Sequence, residues 1–339
     1  MNIKRLIAST AVLAMTASLL TGCGSDSNSS AAETTTDSKT VNIAIQPSAA
    51  FIPIYIVKEK GWLEEALAEQ GVEVTWNSFE SGPPMNESLA AGSSDVGFMG
   101  DVPSVSAIAA GQQTEFVAIA CDAPDSYAML VAADSDITSP ADLKDKTVGT
   151  TVGSSGHNLT DKLLKEHGLD INSDIQLANI STGDAATVLS SGEVDAVAIW
   201  EPTITRLVDN GTAKIIGEGS DCNMLGVNPI VARTEYAENN PEVIKTIIEQ
   251  YARGVAELKN LDEETTSAIA EIFALEPEQL MTISEKYQYN VVFSPEDTES
   301  LQDTISFLVN IGNLSEEFDI SSYVNTEYVD SLDLSDYLG

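Results

Sequence analysis

The chain has 339 residues, 43% of them hydrophobic and 20% charged. That is enough apolar residue for one large or two ordinary cores and too much for a disordered chain. Its 16 lysines and arginines stand against 53 aspartates and glutamates, a formal charge of -37. This excludes a duplex nucleic-acid surface, which must neutralise phosphates, and a basic patch for anionic lipid. No Lys or Arg follows Lys286. Acidity of this kind keeps a protein soluble and apart from its copies, and a monomer is expected.

Lys4 and Arg5 precede an apolar, small-residue stretch from Leu6 to Leu20. The stretch is short for a membrane span and reads as an export signal. The run Leu20-Thr21-Gly22-Cys23 resembles the lipobox of bacterial lipoproteins. The resemblance implies a signal peptide over 1–22 and a diacylglycerol on the Cys23 thiol, the membrane being reached only through that lipid. Residues 24–40 are mostly Ser, Thr, Asp, Asn and Ala, so 23–40 reads as the lipidated Cys and a flexible tether. With Cys23 so used, Cys121 and Cys222 remain. Their separation fits neither a CxxC motif nor a zinc site, and His157 and His167 do not complete one. No metal or cofactor is expected. A disulfide between Cys121 and Cys222 and a pair of buried free thiols are both open in an exported chain.

From Val41 the chain alternates strands and helices. Val41–Ile45 reads as a strand, 53–69 as a helix ending before Gly71, and Val72–Trp76 as a strand. A helix over 85–91 follows Pro83-Pro84, then a strand at 95–99, a helix at 102–110 and a strand at 115–120. Residues 128–133 are a buried strand. The rhythm restarts with a short helix at 139–143, a strand at 147–151, a helix at 156–167 and a strand at 175–179. A helix at 184–191, a strand at 195–199, a helix at 201–209 and strands at 213–217 and 228–233 complete it. After Asn240-Pro241 the pattern is helical over 241–259, 263–273, 276–287 and 296–311. The βαβ rhythm implies a mostly parallel sheet with helices on both faces. No long linker separates two halves, which suits two lobes exchanging strands.

Residues 89–111 and 189–211 are similar at an offset of 100. Leu89, Gly92, Asp95 and Gly111 match Leu189, Gly192, Asp195 and Gly211, and Asp101 faces Glu201. Each segment runs helix, turn, Asp, buried strand, acidic residue, Pro, helix, Gly. The acidic residue is placed to cap the helix, and the proline fits its first turn. Two related α/β lobes follow, each aiming a helix N-terminus from the C-terminal edge of its sheet, where ligands of open α/β sheets bind. Such termini attract anions. Thr150 to Asn158, rich in Gly and Ser, follows a strand and opens a helix. Successive N–H groups and Ser hydroxyls there can meet three oxygens of a sulfonate, phosphate or nitrate. An ordinary Gly/Ser helix start has the same look. It is not a Walker A loop, because no Gly-Lys-Ser/Thr stands at the required spacing.

Several segments together resemble the aliphatic sulfonate-binding proteins of ABC importers, related to nitrate- and taurine-binding proteins. They are Gln70–Trp76, Phe79–Pro83, Leu89–Asp95, Gly100–Pro103, Gly153–Leu159 and Ile199–Pro202, in family order over roughly 41–233. The resemblance implies a two-lobed, type II periplasmic-binding-protein-like α/β fold. Each lobe is a mixed, mainly parallel sheet with helices on both faces, and the ligand cleft lies between lobes. Lobe 1 is expected over 41–130 plus 228–339 and lobe 2 over 131–227, with hinges near 127–133 and 223–230. Carried over by motif, the ligand-binding residues are Gln46, Gly82, Pro83, Gly100, Asp101 and Val102 from lobe 1. Ser154, Ser155, Gly156, His157, Trp200 and Glu201 come from lobe 2. Trp200 supplies apolar area to an alkyl chain, and Asp101 and Glu201 either cap helices or hold an ammonium.

The implied role is an extracytoplasmic, lipid-anchored binding protein that delivers a small anionic solute to an ABC permease and its ATPase. An organosulfonate leads. Nitrate or a thiamine-pyrimidine precursor would keep the same role. Catalysis is disfavoured: Ser155 and His157, two apart on a helix, do not face each other, and no G-x-S-x-G elbow is present.

Overall fold

The strands carry the two-residue period that the sequence promises. In the first, Lys39–Ile45, Val41, Ile43 and Ile45 enter one core while Ala44 enters the core on the opposite face. The computed structural model describes residues 39–338, so the export signal, Cys23 and the tether through residue 38 lie outside the described residues.

In chain order the strands are β1 (Lys39–Ile45), β2 (Val72–Ser78), β3 (Val96–Phe98), β4 (Thr114–Asp122) and β5 (Tyr127–Ala132). Next come β6 (Thr147–Thr150), β7 (Gln176–Asn179), β8 (Ala196–Trp200), β9 (Ala213–Glu218), β10 (Asn228–Arg233) and β11 (Gln288–Tyr289). They form two sheets, of order β2-β1-β3-β10-β4-β11 and β7-β6-β8-β5-β9. In the first, β1, β2, β3 and β4 share a direction, and β10 and β11 oppose them. In the second, only β5 opposes the rest. Both are mixed, but neither is mainly parallel as expected: three of five strand pairs in the first and two of four in the second are antiparallel, because β10, β11 and β5 run against their neighbours. The opposed strands β5 and β10 follow the two passages between sheets, at 123–126 and 219–227. Because β5 lies wholly in the second sheet, the first passage falls ahead of the expected 130/131 boundary.

The repeat at 100 residues has a structural counterpart. Each sheet opens with a parallel trio, β2-β1-β3 and β7-β6-β8, followed by an antiparallel strand. Asp95 accepts the N–H of Asn42 at 2.9 Å, tying the start of β3 to β1. Asp195 accepts the N–H of Thr147 at 2.9 Å, tying the start of β8 to β6. Gly92 and Gly192 both turn with positive φ, 70° and 71°, which a Cβ disfavours.

Some elements differ from expectation. The helix expected over 53–69 is two, Ile52–Glu59 and Trp62–Ala68, because Gly61 breaks it in the left-handed region at φ 66°. The helix expected at 85–91 begins at Gly82, with its prolines in the first turn, where a missing N–H costs nothing. Thr234–Asn239 is a helix that the sequence reading left out. Gln288–Tyr289, just past an expected helix, extends the first sheet beside β4. Cys121 and Cys222 are not bridged: both are buried free thiols. Cys121, on β4, donates to the Ala50 carbonyl at 3.4 Å, and Cys222, after β9, donates to that of Gly219 at 3.3 Å. Each thiol is met by a backbone carbonyl, and the two lie in different hydrophobic cores.

Candidate functional site

The C-terminal ends of β1, β3, β6 and β8 face a common cleft between the two sheets. Three helices of eight residues or more begin there: Gly82–Ala90, Asp101–Ala109 and Ser155–Glu166. The first-turn N–H groups have no partner within the helix and carry the positive end of its dipole; Pro83 and Pro84 leave the first of these helices with fewer donors than the other two. The cleft is small, about 280 Å³ including its open mouth, at the lower edge of the range for organic ligands.

Of the residues expected in the site, Gln46, Gly82, Gly100, Ser154, Ser155 and Trp200 line the cleft. Gln46 follows β1. Its Oε1 is buried and has no hydrogen-bond partner, and the same holds for the Ser154 Oγ. Native proteins rarely leave such atoms unmet unless a ligand or water is to meet them. Gly82 and Gly100 are required by close approach. A Cβ on Gly82 would stand 2.2 Å from the Pro103 Cγ, and one on Gly100 would stand 2.4 Å from the Ser155 Oγ.

The other expected residues lie behind or beside the wall. Asp101, 3% exposed, points away from the cleft and does not cap its own helix, whose N-cap is Gly100. Its carboxylate accepts the Ser155 hydroxyl proton, the Thr304 hydroxyl at 2.8 Å and the Asn158 amide at 3.4 Å. Val102 is packed in the core beneath. Gly156 presses its backbone on β8, where a Cβ would stand 2.7 Å from the Ala198 carbonyl oxygen. His157 makes an edge contact with Phe307 at 5.1 Å, and its Nδ1 accepts the Gly153 N–H at 3.4 Å. Burial pushes its imidazole down to about 4, so the ring is neutral at physiological pH. Glu201, fully buried, accepts the Thr205 N–H at 3.0 Å as a helix cap and pairs with Lys286 at 2.7 Å. Pro83 stands at the rim, 3.7 Å from where a Cβ on Gly153 would be.

Ser48, Pro103 and Tyr127 also line the cleft and were not expected there. Helix phase explains one of them. Gly100 and Pro103, three apart, share a face, while Val102 is turned into the core. Ser48 had a signal: it precedes a buried apolar run, and its hydroxyl accepts the Ala50 N–H at 3.3 Å. Tyr127 enters because β5 runs antiparallel to β8 and sets it opposite Trp200, a pairing no local pattern announces. Its hydroxyl donates to the Asn228 Oδ1 at 3.1 Å.

Further bonds join the sheets around the cleft. Asn310 donates to the Asp161 Oδ1 at 2.9 Å, Gln279 donates to Asp209 at 2.7 Å, and Lys162 pairs with Asp303. No Lys or Arg lines the cleft among the described residues. The site therefore offers N–H groups, hydroxyls, an amide and one indole face, a set that binds a weakly basic oxoanion through many weak donors.

Known proteins of similar sequence and fold share one broad description. The NMT1/THI5-like family model matches residues 48–265. The chain is 28% identical over 312 residues to a putative aliphatic sulfonates-binding protein of Bacillus subtilis, covering 92% of each chain. It is 33% identical over 224 residues to a protein of the same description from Escherichia coli, covering 66% of this chain and 69% of that one. Among solved structures, the periplasmic aliphatic sulphonate binding protein SsuA of Escherichia coli superposes with a TM-score of 0.74 at 27% identity. That match covers 84% of this chain and 97% of the other.

Proposed function

The chain belongs to the NMT1/THI5-like family, and from that premise we propose that it is the solute-binding component of an ABC importer that captures a small organosulfonate. The observation that carries the reading is the cleft. Three helix N-termini and the unpartnered Ser154 hydroxyl converge on one small polar space between the sheets. A sulfonate spreads one charge over three weakly basic oxygens, so N–H and O–H donors suffice and an Arg is not needed. Trp200 and Pro103 give the carbon skeleton an apolar wall.

Capture works by closure. The two lobes, one built on each sheet, swing about the passages at 123–126 and 219–227, and the bonds of Asp101 to Ser155 and Asn158 form as they meet. The closed protein then delivers its solute to the permease and its ATPase. In this reading a signal peptide over 1–22, a lipid on Cys23 and a tether that ends where β1 begins keep it outside the cytoplasm on a lipid anchor, as a monomer. The site binds and does not turn over: Ser155 gives its proton to Asp101, and the His157 Nδ1 is engaged by Gly153, so no hydroxyl–imidazole pair is assembled.

A thermal-shift screen of the body from Ser25 onward tests the reading, since a ligand of the folded state raises the melting temperature by mass action. Alkanesulfonates, taurine and isethionate are expected to stabilise. Response only to nitrate, sulfate or a hydroxymethylpyrimidine keeps the transport role and removes the sulfonate.

A further inference from the structure

Among the ion pairs of the described residues, two run from one lobe to the other. Lys286, just ahead of β11 in the first sheet, reaches Glu201 at the end of β8 in the second, at 2.7 Å. Lys162, on the Ser155–Glu166 helix, reaches Asp303, on a helix at Pro295–Asn310 that packs on the first sheet. The two pairs are reciprocal: each lobe sends one lysine to a carboxylate of the other. None of the four residues lines the cleft.

Closing brings like charges together. Residues 39–122 and 228–339, which build the first sheet, hold 34 acids and 8 bases, and residues 127–218, which build the second, hold 14 and 6. Two bodies of one sign repel as they approach, within a Debye length of ~8 Å at physiological salt. Glu201 sharpens the cost. It is fully buried when the lobes are together, and a buried carboxylate without a cation is strongly destabilising. Arg206 of its own lobe does not serve, because that guanidinium donates to the Thr203 hydroxyl at 2.7 Å and joins no ion pair among the described residues. The partner is Lys286, from the other lobe. It is also the last base of the chain, so nothing further along replaces it.

We propose that Lys286 and Lys162 are positioning residues for capture. They clasp the two lobes across their shared negative charge and set solute affinity without touching the solute. Each pair joins the lobes, so each forms only as they meet. Lys286 is the buried member of the clasp, and Lys162, facing a half-exposed Asp303, is the open one. The inference rests on capture by closure and adds to it the groups that hold the closed state.

Calorimetric titration of the parent, Lys286→Met and Lys162→Met tests it, with whichever of ethanesulfonate, taurine and isethionate binds the parent most tightly. Methionine keeps most of the stem and removes the charge. The titrations are made at about 10 mM and about 1 M sodium chloride, where the Debye length is ~30 Å and ~3 Å. Lys286→Met is expected to bind about thirtyfold or more weakly at both salt concentrations, because closing then buries Glu201 unpaired. Lys162→Met is expected to bind about two- to fivefold more weakly at low salt and as the parent does at high salt, because its pair is open to screening. Lys286→Arg should recover most of the loss. The exchange of Lys162→Asp with Asp303→Lys should bind as the parent does, a recovery that lost packing does not give. Equal binding by the parent and both methionine variants overturns the inference and leaves the importer reading standing. Failure of all three compounds to bind the parent overturns both.

Discussion

Asp101, on a helix of the first sheet, accepts the hydroxyl proton of Ser155, on a helix of the second. The bond spans the cleft from behind its wall, so it exists only while the two sheets are together. Hydrogen bonds to a charged group contribute about 1.5–3 kcal/mol. Asp101→Ala is therefore expected to weaken sulfonate binding by about ten- to a hundredfold. In small-angle scattering the ligand-bound variant should stay more extended than the ligand-bound parent. Unchanged affinity and radius would remove Asp101 from the closing contacts.

Gly100 leaves no room for a side chain, since a Cβ there would stand 2.4 Å from the Ser155 Oγ. Gly100 has φ -74°, ordinary for any residue, so Gly100→Ala should fold. Its melting temperature without ligand is expected within about 5 °C of the parent, while binding drops by tenfold or more because the lobes cannot meet. A variant that binds normally would show that Ser155 need not approach this backbone.

His157 gives a pH signature of stability. Its folded value of about 4 lies below the ordinary 6.5. As pH falls through 6.5 the unfolded chain takes up a proton that the folded chain refuses until about 4. The contribution is complete above about pH 6.5 and is lost between 6.5 and 4. It amounts to about 3 kcal/mol. Denaturant unfolding at pH 7 and 4.5 should show His157→Leu losing about 2 kcal/mol less than the parent over that interval. Parallel losses would contradict a buried neutral ring.

Asp122 has the opposite sign. Burial and the neighbouring Asp297 carboxylate push its carboxyl up from 3.8 to about 8. Its contribution is present below about 3.8 and declines as pH rises toward 8, because the unfolded chain releases the proton first. Asp122→Asn removes the ionisable carboxyl and with it that penalty. Its melting temperature, relative to the parent, is expected to rise between pH 5 and pH 8. A constant difference would mean that Asp122 ionises normally.

Much of this was written in the sequence. The 100-residue repeat read from Asp95, Gly92 and Gly111 against Asp195, Gly192 and Gly211 reappears as two parallel trios, each Asp tying its strand to the neighbour. Periodicity placed strands and helices well because the helices bury one face and the strands send alternate residues into cores on either side. The direction of β5 and β10 was not legible, since it follows from where the chain passes between sheets. In the cleft, motif position located the right loops but not the right side chains. Gly100, Ser155 and Trp200 line it, while Val102, His157 and Glu201, one or two residues away, turn inward, the first two by helix phase and Glu201 toward Lys286. Tyr127 depends on cross-strand register with Trp200, and the separate settings of Cys121 and Cys222 depend on which core each packs into. Neither is a local property of the chain.

The most direct test of the central claim is a crystal structure with the best-bound organosulfonate. The sulfonate oxygens are predicted within hydrogen-bond distance of the Ser154 Oγ and of N–H groups opening the Ser155–Glu166 and Asp101–Ala109 helices, with Trp200 against the carbon chain. A ligand seated outside this cleft, or one whose sulfonate points away from those helix starts, would contradict the account.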